Sequence, residues 1–155
     1  MKNRARPAAA VGNVALGNNL LGPQPMSKLG KKTLVLDLDE TLVRSQFTEP
    51  PKYDLKLPVR MDHRDYEVFV AVRPGCNEFL VEMAKHYELV IFTASLSKYA
   101  NPLMDILDPD RLCTGRLFRE HCDFKDRIYQ KDMSRVGRRI EDVILIDNSP
   151  NSYRP

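Results

Sequence analysis

Thr33-Leu34-Val35-Leu36-Asp37-Leu38-Asp39-Glu40-Thr41 decides the architecture of this chain: an apolar run that ends in two aspartates one residue apart and then a threonine. Leu34, Val35 and Leu36 carry no polar interruption, the pattern of a strand buried on both faces of a parallel sheet. Asp37 is then delivered at the strand's carboxyl end, the edge at which open α/β sheets bind ligands. Two carboxylates this close repel one another unless a hard cation neutralises them or one of them carries a proton. Magnesium-assisted phosphoryl transfer can use both states, and it is the first functional expectation.

Apolar runs and turn residues alternate outward from this strand. Pro50-Pro51 and Pro58 interrupt residues 44–65, while Tyr66-Glu67-Val68-Phe69-Val70-Ala71-Val72 has the β-branched and aromatic content of a strand. With Asp62-His63-Arg64-Asp65 as a polar turn, residues 57–72 read as a β-hairpin. Pro74 opens a helix whose Phe79, Leu80, Met83 and Ala84 share one face. Leu89-Val90-Ile91-Phe92 is a second buried strand, ending in Thr93-Ala94-Ser95. Ser95 or Ser97 is expected to cap the next helix, which carries Tyr99, Leu103, Met104, Ile106 and Leu107, breaks or restarts at Pro102 and stops before Asp108-Pro109. Leu117-Phe118-Arg119 is a short strand and residues 132–139 a short helix. Val143-Ile144-Leu145-Ile146 is a third buried strand, ending in Asp147-Asn148-Ser149-Pro150. The β-α-β-α-β order predicts an α/β fold with a central parallel sheet and right-handed crossovers.

Composition narrows the function classes. The 155 residues suffice for one domain with a sizeable core, and 29% of them are charged. The net charge of +3 conceals an asymmetry. Residues 1–36 hold six cations (Lys2, Arg4, Arg6, Lys28, Lys31 and Lys32) and no acid, which leaves 18 basic against 21 acidic residues in the rest. The basic balance thus belongs to a tail and argues against a nucleic-acid partner. Cys76, Cys113 and Cys122 are odd in number and widely spaced, so neither a disulfide framework nor a zinc site is indicated, and reduced thiols of the cytosol or nucleus are expected. No run approaches the 18 apolar residues of a membrane span. Residues 8–22 imitate a signal or transit peptide, but Asn13, Asn18 and Asn19 interrupt them. A disordered basic tail over residues 1–30 is expected, with an organelle-targeting segment as the alternative, and the folded domain over 31–155. No acid or nucleophile pattern frames His63, His86 or His121.

Three apolar strands therefore end in polar groups, Asp37/Asp39/Thr41, Thr93/Ser95 and Asp147/Asn148, and a parallel sheet brings all three ends to one edge. The four segments Asp37-Leu38-Asp39-Glu40-Thr41-Leu42-Val43, Phe92-Thr93-Ala94-Ser95-Leu96, Lys131-Asp132 and Ile146-Asp147-Asn148-Ser149-Pro150 resemble the ordered motifs of haloacid-dehalogenase-type phosphatases. Their wording is most similar to the small C-terminal-domain phosphatases that act on RNA polymerase II. Arg73-Pro74-Gly75, Leu117-Phe118-Arg119-Glu120 and Ser134-Arg135-Val136-Gly137 extend the resemblance over about residues 31–153.

The resemblance implies a Rossmann-like haloacid-dehalogenase fold with a small β-hairpin insert at about 44–72, truncated at the C-terminus because relatives continue past the fourth motif. It implies a Mg2+-dependent protein serine/threonine phosphatase, nuclear or cytoplasmic, with a phosphoprotein partner such as the RNA polymerase II C-terminal domain. Asp37 would be the nucleophile that forms an aspartyl-phosphate, and Asp39 the acid and base. Mg2+ would take Asp37, the Asp39 carbonyl and Asn148, with Asp147 acting through water. Thr93, Lys131 and Arg119 would hold the phosphoryl oxygens, and Thr41 would support the loop. Phe47, Leu96 and Tyr99 match the residues that form an apolar slot for a proline beside the phosphoserine. The stretch His121-Cys122-Asp123-Phe124-Lys125-Asp126-Arg127 is more charged than the resemblance leads one to expect. Two other readings stay open: a non-catalytic binding module like the mitochondrial presequence receptor, and a small-metabolite phosphatase of the same superfamily.

Overall fold

The computed structural model of the chain describes residues 19–154. Twelve elements follow in order: β1 (Thr33–Leu36), β2 (Val43–Gln46), β3 (Leu55–Met61), β4 (Arg64–Val72), α1 (Cys76–His86), β5 (Glu88–Phe92), α2 (Ser97–Leu107), β6 (Cys113–Leu117), β7 (Asp123–Lys125), β8 (Ile128–Asp132), β9 (Val143–Ile146) and β10 (Tyr153–Arg154). The central sheet has the order β6-β5-β1-β9 and all its strands are parallel. The chain steps from β1 through β5 to β6 in one direction and then returns to the other side of β1 as β9. The switch point therefore falls between β1 and β9, where Asp37 and Asp147 leave the sheet.

The side-chain period of 2 splits this sheet between two cores. Leu34, Leu36, Leu89 and Ile91 face α1, α2 and the inner residues Leu57, Val59, Val68 and Val70 of the insert. Val35, Val90, Phe92 and Leu117 face the opposite way, where Met133, Val136, Leu20 and Leu21 cover them.

Several expected elements differ in detail. The insert is a three-stranded antiparallel sheet, β2-β4-β3, and its turn is Asp62-His63 alone, both residues with positive φ as a two-residue hairpin turn requires. Arg64 and Asp65, expected in the turn, begin β4. Pro102 does not break α2, and no serine side chain caps it: Ser97 is its first helical residue and bonds Glu120, while Ser95 turns toward Asp39. The strand expected at 117–119 is the end of β6, and the helix expected over 132–139 is a single 3-10 turn at Met133–Arg135. β9 is an edge strand rather than a buried one, with Ile144 and Ile146 38% and 40% exposed, because among the described residues no helix lies over that side of it. Residues 121–127 become β7 and its turn. Asp126 and Arg127 repeat the positive-φ hairpin geometry, which accounts for the charge of that stretch.

Residues 1–18 of the expected tail lie outside the described residues. Residues 19–30 pack on the domain, since Leu20 and Leu21 have apolar side chains to bury and find the second core beneath them. Two glycines make room: a Cβ on Gly115 would stand 2.7 Å from the Leu21 side chain, and one on Gly137, at φ +84°, 3.0 Å from Asn19.

A buried acid ties this segment to the sheet. The Glu88 carboxylate accepts from Arg138 Nε and Nη2 at 2.8 and 2.7 Å, Thr33 Oγ1 at 2.7 Å, Thr114 Oγ1 at 3.3 Å and Gln24 Nε2 at 3.2 Å. Burial raises its pKa, but the hydrogen bonds from Arg138 and Thr33 outweigh that and hold it below the usual glutamate range. Arg138→Met leaves an uncompensated buried charge and is expected to lower the unfolding free energy by about 3–5 kcal/mol, read from urea melts at pH 7. A depressed folded-state pKa contributes stability that is fully present above the ordinary glutamate value of about 4.3 and is lost as pH falls through the depressed one. The acid limb of the stability profile should therefore be steeper in the parent chain than in Glu88→Gln.

Candidate active site

The loop after β1 sets two carboxylates side by side without letting them touch. Leu38 is fully buried between them, and its carbonyl accepts the backbone N–H of Leu42 at 2.8 Å and of Val43 at 3.1 Å, which winds the chain around that point. Glu40 takes a left-handed conformation, φ 61°, to close the turn, and Arg73 braces it by donating to the Glu40 and Thr41 carbonyls. Asp37 and Asp39 consequently enter different surroundings.

Asp37 is 6% exposed. Lys131, 1% exposed on β8, donates to Asp37 Oδ1 at 2.6 Å and to Asp147 Oδ2 at 2.6 Å, so one buried ammonium joins two carboxylates. Thr41 Oγ1 donates to the remaining Asp37 oxygen at 3.1 Å. Burial pushes the Asp37 carboxyl above the usual range, and the Lys131 ammonium works against that shift. Asp147 moves the other way. Burial raises it, but hydrogen bonds from Lys131, the Ser149 N–H and Ser152 Oγ bring it below the usual range.

Asp39 is held by hydroxyls instead of a cation. Ser95 Oγ donates to its Oδ2 at 2.7 Å, Thr93 Oγ1 reaches the same oxygen at 3.4 Å, and the Tyr99 hydroxyl donates to Oδ1 at 3.0 Å. Tyr99 is itself in hydrogen-bond contact with Ser45 Oγ of β2, and its pKa is raised by burial and then by the Asp39 charge. Every one of these hydroxyls can donate or accept, so the same contacts serve Asp39 as a carboxylate and as a carboxylic acid. Ser45 is a participant that the sequence alone did not single out, and Ser95 serves Asp39 where a helix cap was expected. Thr93, 1% exposed and expected on a phosphoryl oxygen, spends its hydroxyl on Asp39 and on the Ser95 N–H.

Asp39 opens onto a cleft of about 350 Å³ lined by Ser45, Phe47, Ser95, Leu96, Tyr99 and Arg119 among others. Phe47, Leu96, Tyr99 and Arg119, which the sequence named from three separate segments, thus meet at one cleft beside the acid. Phe47 is 62% exposed and stacks edge-on against Tyr66 at 5.7 Å, while Met61 and Val68 of the insert complete the apolar wall. Asn148 lies apart from this cleft, on the Asp147 side of the loop, where it shares a second groove with Thr41 and Arg73.

A divalent cation suits the donor set. Asp37, Asp39 and Asp147 bring three carboxylates to one edge, and Lys131 bonds two of them. Among the described residues no group of three His, Cys, Asp or Glu side chains forms a cage for a metal. Magnesium needs none, because it keeps several waters and takes one or two carboxylates together with other oxygen donors. Both Asp147 oxygens already accept hydrogen bonds, which fits contact with a cation through water. The three cysteines are free thiols, and burial raises the pKa of each, that of Cys122 to about 11.

Comparison with known proteins follows the same residues. The family description for NLI interacting factor-like phosphatases matches residues 32–155. "Phosphatase PSR1" of Saccharomyces cerevisiae is 49% identical over 136 residues, 88% of this chain and 32% of the relative. "CTD small phosphatase-like protein" of Homo sapiens is 49% identical over 124 residues, 80% of this chain and 45% of the relative. The match thus spans less than half of the length of these relatives. Among solved structures, the fission yeast RNA polymerase II CTD phosphatase Fcp1 bound to beryllium fluoride superposes with a TM-score of 0.68 at 21% identity, over 79% of this chain and 38% of that one, which establishes a shared fold.

The ion-paired carboxylate gives a direct test. Lys131 lowers the Asp37 pKa, so Lys131→Met is expected to move the Asp37 carboxyl titration, followed by 13C NMR, further up in pH. An unmoved titration would show that the ammonium does not face Asp37 in solution.

Proposed function

Because this chain belongs to the NLI interacting factor-like phosphatase family and has the haloacid-dehalogenase fold, we propose that it hydrolyses phosphoserine or phosphothreonine in proteins, in the nucleus or cytoplasm. The observation that carries the reading is the contrast between the two carboxylates: Asp37 is buried and paired with Lys131, whereas Asp39 sits at the cleft among hydroxyls. Pairs of titratable groups in unlike surroundings divide acid and base roles between them.

In this mechanism Asp37, its charge offset by Lys131, attacks phosphorus as the nucleophile and forms an aspartyl-phosphate. The bond from phosphorus to the seryl or threonyl oxygen breaks, and that oxygen takes the Asp39 proton. Asp39, now a carboxylate steadied by Ser95 and Tyr99, removes a proton from the water that cleaves the acyl-phosphate. Phosphate leaves and both aspartates return to their starting states. Asp37, the Asp39 carbonyl and Asn148, with Asp147 through water, would hold Mg2+, which when bound would supply positive charge against the phosphoryl oxygens. Lys131 and Arg119 supplement that charge from the protein.

Substrate class follows from the cleft. Its wall takes Phe47, Met61 and Val68 from the short three-stranded insert and Leu96 and Tyr99 from the start of α2, and it stays open to a peptide loop. A proline beside the phosphoserine would fill such an apolar slot. A solved relative named as an RNA polymerase II CTD phosphatase makes that domain the first substrate to test.

Asp37→Asn is expected to abolish magnesium-dependent release of phosphate from a Ser-Pro phosphopeptide, a loss of more than about 10³-fold. Undiminished release by the variant would refute the nucleophile, and no release by the folded parent chain would favour a binding module. Phe47→Ala should cost about tenfold in kcat/KM on the peptide and little on a small aryl phosphate, given the size of typical aromatic anchor effects. Equal losses on both would remove the slot, and preferred turnover of sugar phosphates would point to a metabolite phosphatase.

A further inference from the structure

Arg119 is held from three directions. Its backbone N–H donates to the Ser95 carbonyl at 2.9 Å, its Nε to the Ala94 carbonyl at 2.7 Å, and its guanidinium carbon lies 4.8 Å from the centroid of the Tyr129 ring. Phe124, directly opposite Tyr129 across the β7–β8 hairpin, braces that ring at 4.7 Å between centroids. Among the described residues no side chain accepts from the terminal Nη atoms of Arg119, although the residue lines the cleft beside Asp39. The hydrogen bond uses one edge of the guanidinium and the aromatic ring covers one face, so the terminal nitrogens remain for an anion.

Strand register connects this contact to the rest of the site. Tyr129 and Lys131 are two residues apart on β8 and project from the same face. The ammonium from this face meets Asp37, and the ring from this face meets Arg119. We propose that Tyr129 is a positioning residue that holds Arg119 for the phosphoryl group, so that β8 sets both protein cations of the site. The β7–β8 hairpin, whose Phe124 is 63% exposed, keeps its apolar pair for this purpose and not for the core. The identity of the anion rests on the phosphatase reading above.

The test uses inorganic phosphate as the probe, titrated by NMR against the folded chain, with turnover of a Ser-Pro phosphopeptide followed alongside. A cation–π contact of this exposure predicts that Tyr129→Leu weakens phosphate binding and raises KM about three- to tenfold, with kcat changed much less. Tyr129→Phe, which keeps the ring face, should stay within about twofold of the parent chain. In an Arg119→Ala background Tyr129→Leu should add no further loss, because the ring acts through the guanidinium. Equal losses for Leu and Phe, an undiminished Leu effect without Arg119, or no phosphate binding by the folded parent would each overturn the proposal. Phosphate binding that follows the expected pattern without peptide hydrolysis would uphold Tyr129 and sink the phosphatase reading. Hydrolysis that is indifferent to Tyr129 would do the reverse.

Discussion

A single ammonium between two carboxylates is the constraint around which the rest of the structure is arranged. Asp37 and Asp147 leave neighbouring parallel strands at the switch point, and like charges in that position could not be buried without a cation between them. Lys131 must arrive from outside the central sheet and arrive unhydrated, a costly state that only good geometry offsets. The outlying strands serve that delivery. The Lys131 N–H donates to the Ser152 carbonyl, Ser152 Oγ returns to Asp147, and β10 lies beside β8 in parallel register. The segment after β9 thereby closes a ring of contacts from Asp147 to Lys131 and back.

Asp39 shows what the absence of such a cation achieves two residues later. Its partners come from the end of β5, from α2 and, through Tyr99, from β2 of the insert, so three elements fix one side chain without fixing its protonation state. The insert consequently reaches the acid by a hydroxyl chain as well as forming the apolar wall beside it. A side chain seated against Phe47 and Tyr99 would lie next to Asp39, the proposed proton donor.

Much of this was legible in the sequence because strands buried on both faces leave continuous apolar runs. Leu34–Leu36 and Leu89–Phe92 announced the sheet, and the polar residues directly after them announced its ligand-binding edge. The approach of Lys131 to Asp37 could be named only from the family resemblance, since 94 residues separate the two and no local pattern links them. Ser45 was hidden for a similar reason: its partner is the hydroxyl of a tyrosine on another element. The exposed edge of β9 could not be read from Val143–Ile146, because a run of four β-branched or leucyl residues looks the same whether or not a helix covers it. The narrowing of the first hairpin turn to Asp62-His63 and the second hairpin at Asp126-Arg127 escaped because these pairs lack the glycine that normally marks positive φ.

The amino-terminal strap bears on where this domain begins. The match to the family description begins at residue 32, yet Leu20 and Leu21 already form part of the second core, and Gly115 and Gly137 leave the grooves in which they run. The boundary of that description and the boundary drawn by packing thus differ by about a dozen residues. A chain cut at the first of them would keep Asp37, Asp39, Lys131 and Asp147 and yet show water the apolar underside of the sheet, becoming a sticky protein with an intact candidate site.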